Sequence, residues 1–117
     1  LVLFFKKELL PYLCWRISMI HVVAIITAHP GKRGALLEAA QANLAAVRAE
    51  EGCLEYGLAI DAEKSPAAFG EDTVVVVEKW ASPQALAAHA RAPHMAAFGA
   101  ATKDIVAARA IHVLQPA

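Results

Sequence analysis

Between Glu78 and Phe98 the chain reads EKWASPQALAAHARAPHMAAF, with a tryptophan at one end and two histidines on either side of a proline. Imidazole exchanges protons most readily near neutral pH, so His89 and His94 are the first places to look for acid–base chemistry. A metal is the other use for paired histidines. Residues five apart on an ideal helix differ by about 140° in direction, and no Cys or acidic third ligand stands beside these two in sequence, so no zinc site is expected. A lone histidine is as readily a surface group or a satisfied core residue. His89 is favoured because it falls one turn after Leu86, on the helix face that should meet the sheet, with Trp80 close by. Pro93 interrupts the helix between the histidines, and a broken helix packs less tightly, leaving room for a pocket.

Stronger catalytic signatures are missing from the sequence: there is no GxSxG, HExxH, Walker loop or GxGxxG. The turn His29-Pro30-Gly31-Lys32-Arg33-Gly34 lacks phosphate-loop spacing and reads as a strand-to-helix connection, with Lys32 and Arg33 forming at most a weak anion site.

These residues must be positioned by a regular alternation of elements. Ile20 to Ala28 is β-branched and ends at His-Pro-Gly, which predicts a strand and a turn. Gly34 to Glu51 spaces Leu36, Leu37, Ala40, Leu44 and Val47 as one stripe of an amphipathic helix, stopped by Gly52. Cys53 to Ile60 and Thr73 to Trp80 read as strands of a hairpin joined by the loop from Asp61 to Asp72. Ser82 and Pro83 form a cap and first turn for a second helix, which resumes after Pro93 through Met95, Phe98 and Ala101. Arg109 to Leu114 is a fourth strand. The order β-α-β-β-α-β is the split βαβ motif, an α+β ferredoxin-like antiparallel sheet with helices on one face.

Composition narrows the function. Of 117 residues, 58% are hydrophobic and 19% charged, with 11 Lys plus Arg against 11 Asp plus Glu. The chain is therefore one folded domain, not a disordered one. Phosphate binding needs uncompensated basic residues on one face, so nucleic acid is not an expected partner. The 27 alanines favour helix. Cys14 and Cys53 lie far apart with no CxxC, which indicates neither a disulfide framework nor a zinc site and fits a reducing cytoplasm.

The segment Leu1 to Ser18 stands apart. Its apolar blocks are split by Lys6, Lys7, Glu8 and Pro11, too short to span a membrane and in the wrong order for a secretory signal. It is expected to be an N-terminal extension or upstream sequence before a domain over 19–117 that starts at Met19. In the first and third strands both alternating faces are apolar, Val22, Ala24 and Ile26 against Val23 and Ile25, then Val74 and Val76 against Val75 and Val77. Two helices cover one face only, so a second copy of the chain is the expected lid on the other and the protein should be a homodimer.

The opening strand and helix, EEGCLEYGLAID and EKWASPQALAAHARAPHMAAF together resemble the antibiotic biosynthesis monooxygenase family of dimeric α/β barrels. The likeness rests on Gly52, Cys53, Tyr56, Trp80, Ser82, Ala85, His89, His94 and Phe98 and spans Met19 to about Leu114. It implies oxidation of a dihydroxy-aromatic or polycyclic substrate by O2 with no flavin, haem or metal, the substrate supplying the electrons. In that scheme Tyr56, Trp80 and Phe98 line the pocket, His89 accepts a phenolic proton, and His94 hydrogen-bonds the substrate. The same fold also carries haem-degrading enzymes and non-enzymatic small-molecule binders. The haem-degrading branch is expected to use an Asn on the first strand, and IHVVAIITA has none.

Overall fold

The β-branched runs become the two central strands of one sheet. β1 (Ile20–Ala28) pairs antiparallel with β3 (Thr73–Trp80), from Ile20 opposite Trp80 to Thr27 opposite Thr73. β2 (Cys53–Ala59) flanks β3 and β4 (Val106–Leu114) flanks β1, both antiparallel, giving the order β2-β3-β1-β4. The computed structural model describes residues 19–117, so the reading of Leu1 to Ser18 lies outside the described residues.

Three helices lie on one face: α1 (Arg33–Arg48), α2 (Pro83–Ala90) and α3 (Pro93–Thr102). The ferredoxin-like architecture is thus the one expected, with differences in where some elements begin and end. The second helix is two helices, because Pro93 has no N–H to continue α2 and holds the preceding Ala92 extended at ψ 138°. Pro93 then serves as the first residue of α3, where the missing N–H costs nothing. β4 also begins three residues before the expected Arg109.

The two-residue period of the strands decides what is buried. Val22, Ala24 and Ala28 of β1 and Val74, Val76, Glu78 and Trp80 of β3 are buried on the helix face. Against them α1 sets Leu36, Ala40 and Val47, four and seven residues apart. Leu36 packs with Ala28 and Val74, while Val47 packs with Val22 and Trp80, so α1 bridges two clusters along the sheet. The other sheet face presents Val23, Ile25 and Val75, partly covered, and Val77, exposed. On β4 the helix-side residues Ile111 and Val113 are 60% and 55% exposed, so the helices do not reach over that edge strand. Among the described residues no helix is long and apolar enough to cross a membrane.

The turn after α1 fixes the site. α1 stops at Arg48, three residues short of the Glu51 expected from sequence, and Gly52 follows at φ 82°, a left-handed conformation that favours glycine. Its carbonyl accepts from the Ala81 N–H at 2.8 Å, tying the turn to the end of β3. A Cβ on Gly52 would stand 2.6 Å from the Cβ of Ala85 in the first turn of α2. That turn is in turn closed by Ser82, whose Oγ accepts from the Ala85 N–H at 3.1 Å. Strain and overpacking therefore coincide at one position. Gly52→Ala should cost roughly 2 kcal/mol or more, read as a fall in the thermal midpoint of several degrees. An unchanged midpoint would show that the turn relaxes freely.

Candidate active site

His89 is the one buried residue of α2, on the face directed at the sheet. Its ring lies over Trp80 with centroids 4.6 Å apart and beside Tyr56 at 5.8 Å. Its Nδ1 is 2.7 Å from Glu50 Oε2, a residue of the Gly52 turn 39 positions away. A carboxylate only accepts, so Nδ1 carries the hydrogen, and in the neutral imidazole Nε2 then holds the lone pair. The tautomer follows from that one contact. Among the described residues Nε2 has no hydrogen-bond partner, which leaves it able to take a proton from a ligand.

His94, in the first turn of α3, turns toward the same carboxylate. Its Nε2 is 3.3 Å from Glu50 Oε2, close enough to pair in charge but off the line of a hydrogen bond, so neither ring nitrogen has a hydrogen-bond partner among the described residues. Its ring centroid is 6.4 Å from that of His89. Glu50 thus gathers both histidines from two helices. No group of three or more His, Cys, Asp or Glu disposed to hold a metal occurs among the described residues.

The second carboxyl comes from β3. Glu78 shares the helix face with Trp80, two residues on, and its Oε1 accepts the indole Nε1–H at 2.8 Å. Only 6% of Glu78 is exposed. Burial pushes its carboxyl above the ordinary range, with Glu50 adding to the rise, while the Trp80 hydrogen bond and His89 pull it partly back. Burial and then Glu78 likewise raise the Tyr56 hydroxyl, so it remains a protonated phenol, a donor and not a base.

A cavity of about 280 Å³ opens between the helices and the sheet. Tyr56, Glu78 and His89 gather as polar groups in its wall, Asn43, Thr102 and Arg109 add others, and most of the rest is aliphatic or Phe98. Apolar cavities of roughly 150 Å³ accept benzene, so this volume suits one or two fused rings with small substituents. Of the residues singled out from sequence, Tyr56, His89 and Phe98 line the cavity. Trp80 is completely enclosed behind His89, and His94 sits with Glu50 away from the lining.

Glu50 and Glu78 escaped the sequence reading. Glu78 left a trace: in TVVVVEKW it occupies the inward position between Val76 and Trp80, where a charge is out of place. Glu50 left none, since only the early stop of α1 and the Gly52 turn bring it to His89.

A family model described as antibiotic biosynthesis monooxygenase matches residues 19–101. A relative from Escherichia coli strain K12, named "Probable quinol monooxygenase YgiN", is 36% identical over 102 residues, covering 84% of this chain and 98% of that protein. Among solved structures, PA3566 from Pseudomonas aeruginosa superposes with a TM-score of 0.75 at 27% identity, over 87% of this chain and 97% of that one. Rv0793 from Mycobacterium tuberculosis gives 0.73 at 29%, over 86% and 96%.

The buried carboxyl has a measurable cost. Because the folded Glu78 titrates above its unfolded value of about 4.3, its stabilising effect is complete below that pH and is lost as pH rises through the raised value. Glu78→Gln keeps an oxygen for the Trp80 N–H and removes the charge. Its thermal midpoint should match wild type near pH 4 and exceed it at pH 8, and a midpoint below wild type at pH 8 would contradict this account.

Proposed function

The chain belongs to the antibiotic biosynthesis monooxygenase family, and on that premise we propose that it is a cofactor-independent monooxygenase oxidising a dihydroxy-aromatic substrate with O2. The observation that carries this reading is the Glu50-His89 pair at 2.7 Å in the wall of an apolar cavity. It supplies a proton acceptor of fixed tautomer where a flat ring would lie. The name of the Escherichia coli relative supports quinols as the substrate class.

The chemistry balances without another reductant. A hydroquinone and one O2 give a hydroxyquinone and one water: one oxygen atom enters a ring C–H bond, the other leaves as water, and both electron pairs come from the substrate. The protein's task is to start this. A neutral diol is a poor electron donor, whereas its anion passes an electron to O2 far more readily, so taking one hydroxyl proton onto His89 Nε2 opens the reaction. Glu50 stabilises the imidazolium formed, at a hydrogen bond already in place. Phe98 and Leu58 in the wall present apolar surface to the ring and exclude water, and the Tyr56 hydroxyl is a donor for a substrate oxygen. Trp80 acts from behind, as the plate against which His89 is held. His94 contributes through Glu50, or to a substrate reaching beyond the cavity.

Oxygen consumption with a panel of hydroquinones tests the reading. Wild type should consume O2 in step with quinone formation, and His89→Ala should lower turnover by about a hundredfold or more with a smaller change in binding. Binding without any oxygen uptake across the panel would favour a non-enzymatic small-molecule carrier instead.

The same family reading makes the functional unit a homodimer. The uncovered sheet face carries Val23, Ile25, Val75 and Val77, and a second copy laid sheet to sheet would close a barrel and bury them. A stable pair needs roughly 1,000 Å² or more of buried surface, which a four-stranded face supplies. Light scattering at micromolar concentration should give twice the 12.4 kDa chain mass, and a monomer would overturn the assembly.

A further inference from the structure

Glu78 holds Trp80 in place, but that task explains only half of it. The indole needs one acceptor, and Oε1 is that acceptor at 2.8 Å. An amide oxygen would serve the indole as well without burying an ionisable group, which is the more costly choice. The other oxygen, Oε2, has no hydrogen-bond donor among the described residues. Yet it is not an orphan sealed in the core, because Glu78 lines the cavity while 6% of the residue remains exposed. The groups around it are few. Tyr56 stands opposite on β2 and Val22 opposite on β1, Trp80 follows on the same strand, and His89 and Glu50 face it from α2 and the Gly52 turn.

We infer that Glu78 Oε2 receives the hydrogen bond of the substrate's second hydroxyl, so that the cavity grips an aromatic diol at both oxygens, one on His89 and one on Glu78. This rests on the monooxygenase reading for its substrate class and adds to it the group that selects a diol over a monophenol. Oxidation of a hydroquinone to a quinone releases both hydroxyl protons, and a single imidazole holds only one of them. With Glu78 as second acceptor, the two protons leave the two hydroxyls for His89 and Glu78 and pass to the oxygen atom that departs as water. No proton or electron is left over. The upward push that burial gives the Glu78 carboxyl makes it a better proton acceptor than an exposed glutamate, in keeping with that role. Glu78 is thus a catalytic residue in the sense that it touches the substrate, in addition to anchoring Trp80.

The test compares naphthohydroquinone with its monomethyl ether, the ether lacking one hydroxyl hydrogen. Affinities are measured by calorimetry without oxygen, so that binding is read apart from turnover. Wild type should bind the diol about tenfold or more tightly than the ether, because a buried acceptor left unpaired by the ether is costly. Glu78→Gln places an amide donor at the cavity, which serves an ether oxygen as well as a hydroxyl. The preference should therefore collapse toward one, with the ether's own affinity little changed. Equal affinities in wild type overturn the inference without any variant, and a preference that survives in Glu78→Gln overturns it as well. Oxygen uptake by wild type on the same diol separates the two readings. A diol preference that depends on Glu78 but is accompanied by no uptake removes the monooxygenase activity and leaves Glu78 as a diol-recognising group.

Discussion

A fully enclosed indole with a single N–H is the constraint from which the site unfolds. Trp80 has no exposed surface, and its N–H would cost about 1–3 kcal/mol if buried without an acceptor. Its sheet neighbour on the helix side of β1 is Ile20, and the buried core around it is Val22 and Val47, none of which offers an oxygen; of the partly buried side chains packed on that core, Tyr56 alone carries one, and it makes no hydrogen bond to the indole. The acceptor comes from the same strand, two residues back, where the pleat returns to the same face. That places a carboxyl at Glu78, inside the layer between sheet and helices. Large aromatic burial and a buried acid are in this protein one feature seen from two ends.

His89 depends on the same indole. At 4.6 Å the imidazole rests against Trp80 and is pinned at its other side by Glu50, so the ring has neither freedom to flip nor a choice of which nitrogen is protonated. The pin itself is a consequence of backbone geometry. Gly52 turns left-handed and sits against Ala85, which brings the end of α1 beside the start of α2; a side chain at Gly52 would separate them. A glycine with no chemistry of its own therefore sets the position of a carboxylate that has some. Preorganisation of this kind matters because a proton acceptor held in place needs no rearrangement when charge develops on it.

How much of this could be read from the sequence follows from the range over which each signal acts. Strands, helices and their order were legible because a period of two or of three to four repeats within a short window, as in TVVVVEKW or in Leu36, Ala40 and Val47. The buried face of α2 was legible for the same reason, which is how His89 was selected. Pro93 announced a break, although only the structure shows that it ends one helix and begins another. Glu78 is readable by alternation, as a charge on the inward face of β3 between Val76 and Trp80. Glu50 was beyond reach, because its role depends on a three-residue difference in where α1 stops and on a contact 39 residues away. Local periodicity reports secondary structure; a site assembled from a turn, two strands and two helices is a tertiary property.

The electrostatics of the cluster give it a direction. One imidazole lies between two carboxyls; burial first, and the nearby carboxylates after it, push Glu78, Tyr56 and Cys53 upward, so further negative charge is disfavoured here. An anion entering such a place is opposed unless a proton enters with it. In the proposed reaction a neutral aromatic diol brings its own protons, and moving one onto His89 would turn a repulsive arrangement into alternating charge, carboxylate, imidazolium and phenolate. Moving the second onto Glu78 removes the remaining like charge facing the ring. On the proposed function, such a site would disfavour a substrate that arrives already ionised and favour one that ionises inside, where the mostly apolar wall strengthens each of these interactions. In the proposed reaction with O2 the reactive anion would then form only once the ring lies inside the cavity.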